Sequence, residues 1–160
     1  METLQRTANR GSISTGYDID NSYKNENDNV EKMTHTYDSA PTSQQKGTMS
    51  IWYKRTEINT NIGIFQFGDD ASGDYLAVRW ATEANGSKET YRSKISGTSV
   101  NIGDANGAVR DTSAWYHMVI AIDTTQATAT NRFRVYRNGE ELTFSTDNRS
   151  SITQNANMAI

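Results

Sequence analysis

From Gly47 onward, short apolar runs alternate with clusters of Gly, Asn, Asp and Ser. That spacing predicts a sandwich or barrel of strands rather than helices. The runs place strands at Thr48–Arg55, Ile62–Phe67, Asp74–Ala81, Trp115–Asp123 and Arg132–Arg137. Within the third, a period of two sets Leu76, Val78 and Trp80 on one side and Tyr75, Ala77 and Arg79 on the other. The first side is expected to pack and the second to meet water. The Trp115–Asp123 run is apolar in both phases, which predicts a central strand covered on both sides, with Ile120 at the heart of the core. Trp80 and Trp115 are accordingly expected in the core, while the side on which Trp52 lies, opposite Met49, Ile51 and Tyr53, is left open. Asn138-Gly139 between two such runs predicts a two-residue hairpin turn, since both residues accept the positive φ that strand twist demands. Longer turns are expected at 68–74 (GDDASGD) and 103–107 (GDANG). No sustained helical period and no fixed repeat is visible, so the fold class is all-β, a two-sheet antiparallel sandwich.

Composition sharpens this picture. Thr (20), Ser (15) and Asn (15) far outnumber Leu (3), which suits strands and turns and starves helices. Hydrophobic residues make up only 34 % of the 160, so the core must be lean. A net charge of -3 without a basic cluster offers no footprint for a phosphate backbone, which argues against nucleic-acid binding. The longest apolar stretch, Met118–Ile122, is far too short to insert in a bilayer as a helix. METLQRTANRG at the start lacks the apolar centre of a secretory signal. The absence of Cys removes disulfides, thiolate nucleophiles and cysteine zinc sites. Residues 1–46 are polar and read as an arm with one strand near Tyr17–Tyr23, and Pro41 closes a loop before the first confident strand.

Two segments, 47–80 and 110–143, resemble the concanavalin A-like jelly roll of the laminin G type, in the form common among virion proteins of tailed phages. The resemblance rests on Trp115, Tyr116 and His117 followed by Tyr136, Asn138 and Gly139, together with Trp52, Lys54, Arg55, Gly68, Asp69, Asp70 and the linker 123–130. GYDIDNS at 16–22 is similar to the family's opening strand. The implied organisation is an arm at 1–15 and a jelly roll at 16–160, in which 16–46 supplies the opening strand and loop. Family domains usually continue into a strand that closes the sheet beyond the position of Ile160. The expectation is therefore that 151–160 pairs with another chain or with the arm, or that the sequence is a fragment.

The resemblance further implies a non-enzymatic virion protein on the capsid surface or tail, a head or tail decoration or fibre, with two competing roles: an architectural one, in which 1–46 docks onto neighbouring chains and which the polar arm favours, and an adhesive one towards host glycan, which the fold's lectin relatives favour. Its partners would be other virion chains, met through 1–46 and 151–160, further copies of itself, and a cell-surface glycan. The rival readings are a dedicated glycan-binding module of a tail fibre and a polysaccharide hydrolase. Hydrolysis needs two carboxyl groups flanking the scissile bond, and the family's Glu-x-Asp-x-x-Glu string does not occur. His117 is expected to be partly buried with a hydrogen-bond partner rather than to act as a base, and Ser113 lacks the companions of a nucleophile. For sugar, an exposed aromatic ring beside planar polar groups is required, which points to Tyr75, Arg79, Tyr91 and Arg92. No cofactor is implied except calcium, for which Asp69, Asp70 and Asp74 are the candidate oxygen ligands.

Overall fold

The computed structural model describes residues 32–58, 61–68, 73–81 and 86–159. The chain divides into two units, Met1–Thr36 and Tyr37–Ile160. Of the first, residues 32–36 are exposed and without regular structure, and the opening strand expected at Tyr17–Tyr23 lies outside the described residues.

The described residues of the second unit form nine strands: β1 (Lys46–Tyr53), β2 (Ile62–Gly68), β3 (Tyr75–Trp80), β4 (Glu89–Ile95), β5 (Thr98–Ala105), β6 (Tyr116–Asp123), β7 (Phe133–Arg137), β8 (Glu140–Glu141) and β9 (Phe144–Asp147). They form two antiparallel sheets, ordered β1-β6-β7-β8 and β2-β3-β4-β5-β9, the two-layer sandwich expected. The core lies between the layers. Met49, Ile51, Tyr53, Met118, Ile120, Ile122, Phe133 and Val135 come from the four-stranded sheet and Leu76, Val78, Trp80, Tyr91 and Ile102 from the five-stranded one. Each set obeys the period of two, so burying one phase necessarily turns the other outward.

Turn chemistry fixes the hairpins. Asn138 and Gly139 have φ of 52° and 87°, which lets β7 and β8 pair Arg137 with Glu140. Ser96 and Gly97 do the same between β4 and β5, with φ of 51° and 78°. These two strands were not among those placed from sequence. In particular Gly103–Ala105, expected as turn, completes β5, and only the following Asn106 and Gly107 turn.

Ser151–Ile160 neither forms a strand nor floats, as far as Ala159. Ile152 and Met158 are buried, the Met158 N–H donates to Gln44 O at 2.8 Å, and the Asn155 N–H donates to Thr124 O at 2.9 Å. The Thr124 hydroxyl in turn donates to Ala156 O at 2.8 Å, and Arg132 donates to Ile152 O at 2.7 Å. Two apolar anchors and these bonds clamp the segment onto its own domain beside the start of β1, so here it finds its partners within the second unit.

Candidate functional site

The outer face of the four-stranded sheet is the most distinctive surface of the described residues. On β1 the burial alternates, so Met49, Ile51 and Tyr53 point inward and Ser50 and Trp52 outward. Register pairs Trp52 with His117 on β6, and their rings stack 4.8 Å apart at 17°. The His117 ring is also held at its edge by a 2.8 Å hydrogen bond between Nε2 and Ser50 Oγ. Its backbone N–H donates to Asn138 Oδ1 at 2.9 Å, and its carbonyl accepts from the Asn138 N–H at 2.8 Å. Asn138 thus makes the hairpin turn and fastens it to the neighbouring strand, which gives a physical reason for the coupling of the Trp-x-His and Asn-Gly motifs. Just before β6, Trp115 is 52 % exposed, while Trp52 on β1 is 53 % exposed.

These positions correct two expectations. Trp115 is not core, and β6 is covered on one face only. Met118, Ile120 and Ile122 are buried, whereas His117, Val119 and Ala121 are half-buried. The apolar second phase of β6 is a surface stripe because no described element is stacked over it. His117 is partly buried and hydrogen-bonded, as expected.

The aromatic face expected on the five-stranded sheet does not exist as such. Tyr91 is 0 % exposed and packs edge-on against Phe133 and Phe144. Its register partner Val78 points inward, and residues directly opposite share a face. Tyr75 lies in the outer phase but is buried at 8 %, between register partners Gly68 and Lys94. Arg79 is exposed, while Arg92 is half-buried with Nη1 3.6 Å from Asp104. Neither arginine has an open tyrosine ring beside it.

Of the candidate calcium ligands, Asp69 and Asp70 lie outside the described residues. Asp74 accepts the N–H groups of Ser96 at 2.7 Å and Gly97 at 2.9 Å. These backbone bonds, Gly97 first, hold its carboxyl below the usual range. Asp74 therefore pins the β4–β5 turn. Among the described residues no three His, Cys, Asp or Glu side chains converge as metal ligands would.

Glu89, Arg55 and Arg149 are the buried charged residues among those described, and the half-buried Arg137 reaches in beside Glu89. Glu89 on β4 is fully buried and accepts from Arg137 Nη2 at 2.5 Å and Nε at 3.3 Å, from the Tyr53 hydroxyl and from the Tyr91 hydroxyl at 3.4 Å. Burial first, then repulsion from Glu89, pushes both tyrosine hydroxyls well above their usual pKa. Since Arg137 and Tyr53 belong to the opposite sheet, the cluster is a polar clamp between layers. Arg55, also buried, donates to the carbonyls of Glu57, Ile58, Ala81 and Val109 at 2.7 to 3.0 Å. It gathers the loops at one rim and lies 5.5 Å from the Trp80 ring. The signal was present in sequence: Arg55 follows Ile51 and Tyr53 in the inward phase, and Arg137 follows Phe133 and Val135.

An apolar cleft of about 440 Å³ opens beside β1, lined by Met49, Phe65, Phe67, Leu76, Ile120 and Ile122 with the 37–43 segment. Its wall is largely apolar, without an array of planar polar side chains to meet sugar hydroxyls.

A two-sheet antiparallel sandwich with this strand order is a jelly-roll domain. The family described as the Concanavalin A-like lectin/glucanases superfamily matches residues 26–160, and the chain belongs to it. Among curated proteins none matches the chain.

Proposed function

We propose that this chain is a non-enzymatic component of a phage virion, carried on the capsid surface or tail, that adheres to host surface glycan. The adhesive surface is the outer face of the four-stranded sheet. One observation carries this reading: Trp52 is half-exposed in the outer phase of β1 and stacks on the His117 ring of β6, and Trp115, just before β6, is likewise half-exposed. A ring fixed in this way offers the C–H face of a sugar a platform at little entropic cost. Single contacts of this kind are weak, and repeated copies on a particle would raise avidity through effective concentration. The virion setting is supported by the motif resemblance at 47–80 and 110–143. Other virion chains would meet residues 1–46 and, in the tail, the exposed Thr153, Gln154 and Asn155 rather than the buried Ile152 and Met158.

The superfamily includes glucanases as well as lectins, and the described carboxylates favour the lectin side. Glu89 is sealed between the sheets. Asp74, Asp111, Asp123 and Asp147 each accept hydrogen bonds that shape a turn or hold Arg149. Glu140 and Glu141 are adjacent on β8, so they point to opposite faces and cannot flank one glycosidic bond.

The test is binding of the full chain to a panel of bacterial surface polysaccharides, with Trp52→Ala and Trp115→Ala as variants. Each should weaken binding by about two- to tenfold, since an aromatic contact contributes ~0.5 to 1.5 kcal/mol, while the fold stays intact. Binding untouched by both variants would remove the platform. A particle structure in which a neighbouring subunit covers Trp52 and Trp115 would make the role architectural instead.

A further inference from the structure

At the other end of the same sheet face lies a shallow pocket of about 270 Å³, lined by Ala121, Asp123, Gln126, Asn131, Arg134 and Tyr136. We propose that it is a second subsite, which takes one neutral sugar ring through adjacent hydroxyl groups; this rests on the glycan reading above. Its size lies near the lower bound of small-molecule sites, ~300 Å³, suited to a single ring rather than to a cofactor.

The floor is low because Ala121, the smallest residue in the outer phase of β6, pairs with Thr48 on one side and Arg134 on the other. The 124–132 loop, with its short 3-10 turn at Ala129–Asn131, raises a wall beside it. Asp123 is fixed in place. One carboxylate oxygen accepts Thr125 N–H at 3.1 Å and Thr125 Oγ1–H at 2.5 Å, and the other accepts Gln126 Nε2–H at 2.8 Å with Lys46 Nζ at 3.6 Å. On the far wall Arg134 Nη2 donates to Asn131 Oδ1 at 2.5 Å, and its Nε lies 3.8 Å from Glu141.

The polar atoms left over define the ligand. Gln126 uses its amide nitrogen on Asp123, so its carbonyl oxygen remains an acceptor. Asn131 uses its oxygen on Arg134, so its amide nitrogen remains a donor. The Tyr136 hydroxyl can do either. Donor and acceptor groups set side by side suit hydroxyls, each of which both gives and receives a hydrogen bond. Charge points the same way: Asp123 and Glu141 are balanced by Lys46 and Arg134, so the site favours neither an anionic nor a cationic ligand. Ala121 and His117 are four residues apart on β6, which separates the pocket from the Trp52 stack by ~13 Å of strand. A glycan lying along β6 could engage both.

Asn131→Ala and Arg134→Ala are compared with Trp52→Ala, in the full chain, against a polysaccharide bound by the unaltered protein. Neutral hexoses at millimolar concentration are then titrated while amide resonances are followed by NMR. The proposal expects both pocket variants to weaken polysaccharide binding at least threefold, and hexose to shift the amides of residues 126 and 131 in the unaltered protein and in Trp52→Ala but not in the two pocket variants. Loss in Trp52→Ala with neither effect at the pocket overturns the subsite and leaves the adhesion reading standing. Hexose shifts at the pocket without any polysaccharide binding support the subsite and overturn the adhesion reading. Absence of both overturns the two together.

Discussion

Replacing Arg137 with Met would leave the Glu89 carboxylate buried between the sheets without its countercharge. Glu89 is completely enclosed, and the Arg137 side chain is 14 % exposed. Breaking such a pair from one side costs about 3 to 5 kcal/mol, because the surviving ion has lost its partner but not its desolvation. The partial exposure of Arg137 argues for the lower end, about 3 kcal/mol. For a chain of this size each kcal/mol lowers Tm by about 2 to 4 °C, so a fall of about 6 to 12 °C is expected. Glu89→Gln should cost less, since Arg137 can turn towards water and the amide oxygen still accepts from Tyr53. In the double variant Glu89→Gln/Arg137→Met no charge remains in the clamp. Its loss should therefore fall short of the sum of the singles by more than about 1 kcal/mol, well outside the additivity of independent sites. Urea unfolding of the four proteins measures this cycle. Additive losses, or a loss below about 1 kcal/mol in Arg137→Met, would mean that water reaches Glu89 and that the clamp is not what joins the layers.

Three further outcomes follow from local geometry. Hydrogen bonds from the side chains of Thr125 and Gln126 hold the Asp123 carboxyl at a pKa of about 2, down from 3.8. A carboxyl depressed in the folded state stabilises above its unfolded value and loses that contribution as pH falls towards its folded value. Stability should decline between about pH 4 and 2, and Asp123→Asn should flatten that decline in acid unfolding followed by circular dichroism. Gly103→Ala would set its Cβ 2.6 Å from the Thr146 carbonyl and 2.6 Å from the Phe144 ring. The β5–β9 contact must then part, costing about 1 to 3 kcal/mol and raising amide exchange at Phe144–Asp147; unchanged exchange would refute the close approach. Gly139→Ala has open space around the new methyl but keeps φ at 87°, so strain alone should cost about 1 to 2 kcal/mol.

The strands best read from sequence were those whose own side chains settle the matter. β1, β2, β3, β6 and β7 all fall within two residues of their predicted ends, because each carries a run of large apolar residues bounded by turn-forming ones. β4 and β5 escaped because their inward phases carry Glu89, Ser93 and Asn-flanked Ile102, too little greasy surface to stand out. The Ser96-Gly97 dipeptide was the available turn signal. Local patterning also could not place the tail, since Ile152 and Met158 are single anchors without a period, and their burial depends on Gln44 and Thr124, far away in sequence.

Alternation separates the two faces of a strand without saying which face is inside, and the candidate site turns on that second question. Tyr91 shares a phase with Glu89 and Ser93, a set that reads as polar and outward. It goes in because antiparallel register ties it to Val78, and register is a property of two strands together. Trp115 reads as core because Val119 and Ala121 accompany it, yet Val119 and Ala121 lie on the same face as Trp52 on β1 and Tyr136 on β7, and among the described residues nothing is layered on that face. The same lean composition that leaves this chain only enough apolar residues for one interlayer core makes a second aromatic face conspicuous. A sheet that needed Trp52 and Trp115 only for stability would bury them, and both remain half in water. Their exposure is the observation on which the adhesion proposal rests, and the glycan assays above test it.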